Sequence, residues 1–259
     1  MRLHRFYVEQ KIGESGEITL ADSELIHQMV NVFRFKIGDK VILFDDSGFE
    51  YETEIIFISK KEVKLNIVSS LKREIERQKK VSLYLSLIKK SNFELAAEKC
   101  TEIGVSEIHP IISERSEKKD LNLERLNKIV KEASEQSGRV TLPKVLEIMG
   151  LEEAVSQAVK DGKRCVTFHT DSTATSFKIT QTNSLHLTQT CLRRQANHSE
   201  SCLNNFEGEV MVFVGPEGGW TDSEIELFKK NNFQICSLGQ NILRAETAAM
   251  IAVWEAVRM

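Results

Sequence analysis

The sequence predicts an α/β protein in which a small β-barrel precedes a parallel sheet covered by helices. Three observations carry this prediction. Residues 1–70 read as closely spaced short strands, and residues 81–259 alternate apolar runs with helical periods. Val210-Met211-Val212-Phe213-Val214 is an unbroken β-branched and aromatic run, the pattern of a strand buried on both faces.

Within the first segment, residues 4–9 and 40–45 are strands, the second ending at the turn Asp46-Ser47-Gly48. Residues 51–58 and 63–68 form a hairpin across Lys60-Lys61, and residues 27–34 form one helical segment that ends near Gly38. Residues 71–80 are dense in charge and read as a linker. Residues 81–88 are then a strand, followed by a helix from Ser91 with Glu94 as its capping-box partner. Phe93, Ala96, Ala97, Cys100 and Ile103 share one face of that helix, and Gly104 stops it. A strand over 108–112 leads to a helix with Leu123, Leu126, Val130 and Ala133 on one face, ending at Ser137-Gly138-Arg139. Residues 151–160 are a third helix and 165–169 a strand. From about 173 to 205 Ser, Thr, Asn and Gln dominate, which marks a polar insertion.

With 259 residues, 41% of them apolar, the chain can bury a core of ordinary size. No apolar run approaches the ~20 residues of a membrane span, and the N-terminus has no leader pattern. The five cysteines are scattered and odd in number, which fits reduced thiols in a cytoplasmic protein. His186, Cys191, His198 and Cys202 fall in the insertion at spacings that match no paired zinc motif, so no metal is expected. A net charge of −3 does not announce a nucleic-acid binder; binding to a polyanion would have to come from local placement of charge.

After the 210–214 strand the chain breaks into Gly215-Pro216-Glu217-Gly218-Gly219-Trp220, and Thr221 with Glu224 forms a capping box for the next helix. Residues 233–238 repeat the layout as a strand, Gly239 as the break, and 247–257 as an apolar helix. Two strand ends with glycine turns are where open α/β sheets bind ligands. The spacing is neither G-x-G-x-x-G nor a P-loop. Two ordinary turns of an α/β domain remain the other reading of the local pattern.

Several ordered motifs run the length of the chain. They are residues 2–6 and 27–34, Glu98-Lys99-Cys100-Thr101-Glu102-Ile103-Gly104-Val105, Ser113-Glu114-Arg115-Ser116, Glu135-Gln136-Ser137-Gly138-Arg139, the Gly215–Gly219 loop, and Leu238-Gly239 leading to Leu243-Arg244-Ala245-Glu246-Thr247-Ala248. Together they resemble the RsmE family, methyltransferases that modify N3 of a uridine in 16S rRNA. The resemblance implies a SPOUT-class sheet with a C-terminal trefoil knot over residues 81–259, preceded by a PUA-like, RNA-binding β-barrel over residues 1–70. It also implies S-adenosylmethionine as cofactor, a cytoplasmic homodimer, and 16S rRNA in the assembled small ribosomal subunit as substrate, with the target at U1498 in reference rRNA numbering.

Carried over residue by residue, the resemblance places Phe168, His169, Gly215, Pro216, Glu217, Gly218, Gly219, Leu238, Gly239, Ile242, Leu243, Arg244 and Thr247 at the cofactor. Arg2, Arg5, Arg34, Lys36 and Arg139 would contact RNA, with Arg139 otherwise a plain cation at a helix C-terminus. Uracil N3 is a poor nucleophile until its proton leaves, and a guanidinium beside the carbonyl oxygens would stabilise the anion; Arg244 is the candidate. Glu246 would take the proton, orient Arg244, or simply be a favourable carboxylate at a helix N-terminus. Trp220 reads as a packing aromatic. A methyltransferase with the same fold acting on another base or a ribose hydroxyl, and a non-catalytic ribosome-assembly protein, remain as alternatives.

Overall fold

The computed structural model describes residues 3–13, 16–73, 79–116, 120–169, 175–176 and 208–258. Arg2, nearly all of the polar insertion, and its His186, Cys191, His198 and Cys202 lie outside the described residues. The chain divides into two compact units, Met1–Arg77 with Val130–Leu142, and Gln78–Ile129 with Pro143–Met259.

In the first unit the strands are β1 (Arg5–Tyr7), β2 (Glu17–Leu20), β3 (Lys40–Phe44), β4 (Phe49–Ile58) and β5 (Val63–Lys72). They form one sheet in the order β1-β3-β4-β5-β2, with β1 parallel to β3 and the other pairs antiparallel. The order is open, so the small barrel expected takes the form of a curled half-barrel. Alternation puts Ile18, Leu20, Val41, Leu43, Ile55, Val63 and Leu65 on the buried face, where Phe6, Leu25 and Met29 join them. Helix α1 (Ser23–His27) opens earlier than expected because the Asp22 carboxylate accepts from the N–H groups of Glu24 at 2.8 Å and Leu25 at 3.3 Å. It continues as a π-helical turn over Gln28–Val32.

The second unit is built on an all-parallel sheet in the order β11-β13-β10-β12-β6-β7-β8, with β9 also pairing β7. Its strands are β6 (Val81–Ser86), β7 (Glu107–Ile112), β8 (Lys144–Val145), β9 (Met149–Gly150), β10 (Arg164–Phe168), β11 (Thr175–Ser176), β12 (Val210–Val214) and β13 (Gln234–Ser237). Every residue of β6 and β12 is buried, as central strands covered on both faces require. Tyr84 of β6 stacks on Phe213 of β12 at 4.2 Å between centroids, and His109 of β7 stacks on Tyr84 at 4.1 Å. The helices are α2 (Lys90–Ile103), α3 (Leu123–Ser137), α4 (Leu151–Lys160), α5 (Asp222–Lys230) and α6 (Ala245–Val257). Residues 130–137 of α3 group with the first unit. Cys100, Cys165 and Cys236 are buried, and no disulfide joins them among the described residues.

One expected cap is corrected. Helix α2 opens at Lys90 with Lys89 as N-cap and no side-chain cap, so Ser91 already lies inside the helix. Glu94 instead takes a two-pronged ion pair from Arg125, at 2.7 Å and 3.1 Å. A charged, bidentate donor outcompetes a neutral backbone N–H for the same carboxylate.

Candidate active site

Strands β13, β10 and β12 lie side by side and parallel, so their C-terminal ends open on one edge of the sheet. The segments that leave them, with the first turn of α6, enclose a cavity of about 300 Å³. This is the strand-end position at which open α/β sheets hold ligands, and its size fits a small molecule. Of the residues expected at a cofactor, Phe168, His169, Gly215, Pro216, Glu217, Gly218, Gly219, Leu238, Gly239, Ile242 and Leu243 line it, while Arg244 and Thr247 do not. Sequence reasoning missed Val214, Trp220, Ser237, Asn241, Ala245 and Ala248, which also line it. Ala245 and Ala248 sit one turn apart on α6, a spacing that could have been read; Ser237 and Asn241 carried no separable signal.

The loop after β12 is shaped largely by the protein's own side chains. A Cβ on Gly215 would come within 3.1 Å of the Trp220 indole, and one on Gly218 within 3.3 Å of the Arg115 stem. Trp220 is buried, donates from Nε1 to the Phe168 carbonyl at 3.1 Å, and packs edge-on against Phe228, so it is a packing aromatic. Gly219 differs, with φ +68° and open space where a side chain would stand. Thr221 then caps α5 through a capping box with Glu224, as the sequence predicts.

Helix α6 begins at Ala245, two residues earlier than expected, because Arg244 takes the extended N-cap conformation. Arg244 is exposed; its carbonyl accepts from the Ala248 N–H at 2.8 Å, and among the described residues no hydrogen bond or ion pair engages its side chain. Glu246 is buried in the first turn of α6, and its Oε2 has no hydrogen-bond partner. No hydrogen bond or ion pair joins Glu246 to Arg244 among the described residues, so the orienting role has no contact to act through.

The cations expected at RNA separate into two groups. Arg5 is buried: it pairs with Glu50, donates to the Arg139 carbonyl at 2.7 Å, and lies over the Phe44 ring. A guanidinium so enclosed holds the first unit together and cannot reach RNA backbone, which corrects the expectation. Arg139 is half-buried, and its Nε donates to the Thr141 carbonyl at 3.2 Å. Burial pulls its pKa down to about 10. Arg34 and Lys36 are exposed and alternate in the chain with the stacked pair Phe33 and Phe35, and Arg34 has φ 58°. Among the described residues no group of three or more His, Cys, Asp or Glu is placed to hold a metal.

Two family profiles match the chain, an RNA methyltransferase domain over residues 75–256 and an RNA methyltransferase PUA domain over residues 20–68. The ribosomal RNA small subunit methyltransferase E of Synechocystis is 31% identical over 238 residues, covering 91% of this chain and 71% of that protein. The chain belongs to the ribosomal RNA small subunit methyltransferase E family. The RsmE protein of Rickettsia conorii is 29% identical, with 98% of this chain and 94% of that protein covered. A crystal structure of RsmE from Neisseria gonorrhoeae, bound to S-adenosyl methionine, superposes with a TM-score of 0.75 at 25% identity over 97% of this chain and 95% of that one. The RsmE fold therefore extends across both units.

Proposed function

We propose that this protein methylates N3 of a uridine in 16S rRNA of the small ribosomal subunit, with S-adenosylmethionine as methyl donor. The observation that carries the reading is the cavity at the ends of β10, β12 and β13, beside an exposed guanidinium, Arg244, that no hydrogen bond or ion pair engages among the described residues. The residues present fit such a cofactor. Leu238, Ile242, Leu243, Ala245 and Ala248 offer apolar walls, and the Gly215–Gly219 turn brings main chain to the cavity, with Gly219 open above its Cα. When bound, the cofactor supplies a methyl group already activated by a positive sulfur, so no metal is required.

The chain's own residues do the rest. The loops fix the geometry that an in-line displacement demands. Loss of the N3 proton spreads negative charge onto the flanking uracil oxygens, and Arg244 stabilises that charge. Glu246 is read as the carboxylate that the N-terminus of α6 favours, and the N3 proton leaves to solvent. Arg34 and Lys36 hold RNA backbone from the first unit. The trefoil thread of the C-terminal segment and a homodimer belong to the same reading; exposed Ile242, Trp254 and Leu95 give the second unit apolar surface for a second copy.

The test is incubation of small subunits from cells lacking the modification with purified protein and S-adenosylmethionine, followed by nucleoside mass spectrometry. The expected product is 3-methyluridine. A methyl group on another atom would overturn the specificity, and no transfer by a protein that binds the cofactor would overturn the substrate assignment.

A further inference from the structure

We propose that Arg115 is a positioning residue for the candidate cofactor loop. The proposal rests on the methyltransferase reading only for the identity of the ligand. Arg115 belongs to the turn Ser113-Glu114-Arg115-Ser116 that leaves β7, a motif to which the reaction itself gives no part. Its Nη1 donates to the Gly218 carbonyl at 2.8 Å and reaches the Trp220 carbonyl at 3.4 Å. One cationic nitrogen therefore spans the two carbonyls on either side of Gly219, the residue at φ +68°. The Arg115 stem also lies against Gly218, where a Cβ would meet its Cβ and Cδ at 3.3 Å.

The turn that presents Arg115 is itself fixed. The Ser113 N–H donates to Ser116 Oγ at 3.1 Å, and the two hydroxyls lie 2.9 Å apart. The Glu114 N–H donates to the Glu224 carboxylate at 2.8 Å, and the Glu114 carboxylate accepts from Thr221 Oγ1 at 2.9 Å. The same turn therefore grips both the glycine loop and the first turn of α5. A loop with three glycines samples many conformers when free, and ordering it is a cost of binding. A charge-assisted hydrogen bond that selects one conformer beforehand lowers that cost. Because Arg115 is exposed, its bond adds little to global stability, and its effect falls on the loop.

Calorimetric titration of wild type, Arg115→Ala and Arg115→Lys with S-adenosylmethionine tests this, with amide hydrogen exchange over residues 215–220 measured on the ligand-free proteins. Arg115→Ala is expected to weaken binding about tenfold, the order a single charge-assisted bond supports, and to speed exchange in the loop. Lysine, which keeps one donor, recovers part of both. Turnover at saturating cofactor stays near wild type. Unchanged affinity and unchanged loop exchange would overturn the proposal, and so would a raised KM for RNA alone, which would make Arg115 a substrate contact. A drop in melting temperature with exchange raised throughout the second unit would reduce Arg115 to a structural residue. A wild type that does not bind S-adenosylmethionine would sink the proposed function, while the ligand-free exchange comparison would still decide the role of Arg115.

Discussion

Arg244 stands at the N-cap of α6, exposed and engaged by no other side chain among the described residues, which is how a cation kept for a substrate is held. It does not line the cavity, and among the described residues no hydrogen bond or ion pair joins its side chain to Glu246, so its removal should leave cofactor binding intact. Arg244→Ala is expected to keep the dissociation constant for S-adenosylmethionine within about threefold while turnover falls about 10²- to 10³-fold, the usual effect of losing one charge-stabilising donor. Equal losses in affinity and turnover would make Arg244 a binding residue. Glu246→Gln should cost turnover less than about tenfold, because a helix-terminal carboxylate contributes mainly through the dipole. A loss of about 10²-fold or more in Glu246→Gln, with cofactor affinity unchanged, would instead assign proton transfer to it. At this scale the sequence named most of the cavity but misjudged Arg5. Nothing in its neighbours shows that Glu50, 45 residues away, closes on it, because a buried ion pair is a long-range fact.

Elements were legible where local chemistry decides them. Thr221 and Glu224 read as a capping box because both partners lie within one turn, and the structure forms both bonds. Thr221→Ala is expected to destabilise the protein by about 1–2 kcal/mol, read as a lowered denaturant midpoint with unchanged slope. The same pattern failed at Ser91 and Glu94, where Arg125, 31 residues on, competes for the carboxylate. Strand β2 went unseen because four residues give too short an alternation, and the π-helical turn over Gln28–Val32 has no periodicity distinct from an α-helix. Glu135 on α3 offers a pH test of an element. Burial raises its pKa from 4.5 to about 6, against the lowering effect of the Tyr7 N–H it accepts at 2.9 Å. The native state thus holds the proton more tightly than the unfolded chain. The stability this gives is full below about pH 4.5 and is lost as pH rises through about 6. Glu135→Gln keeps an acceptor for Tyr7 without the charge. Its melting temperature should exceed wild type at pH 8, with the gap closing below pH 4.5.

For the whole molecule, the net charge of −3 means that attraction to rRNA cannot arise from overall charge. The sequence carries basic side chains along its length, yet the structure withdraws several from service: Arg5 is buried against Glu50, Arg73 donates to the same carboxylate at 2.6 Å, and Lys163 pairs with Glu209. Arg34 and Lys36 are left exposed beside Phe33 and Phe35, with Val32 and Ile37 also open to solvent. Neutralising phosphate releases counterions, so affinity for small subunits should fall steeply with salt, whereas the binding of a single S-adenosylmethionine should change little. Each phosphate contact contributes about 0.7–0.9 to the slope of log affinity against log salt. The double change Arg34→Ala and Lys36→Ala should therefore flatten that slope by about 1.5 and leave cofactor affinity untouched. Filter binding of small subunits across a salt series would read it. A weaker affinity with an unaltered slope would mean that these side chains act by packing Phe33 and Phe35 rather than by meeting phosphate, and would move the electrostatic anchor to other cations of the chain.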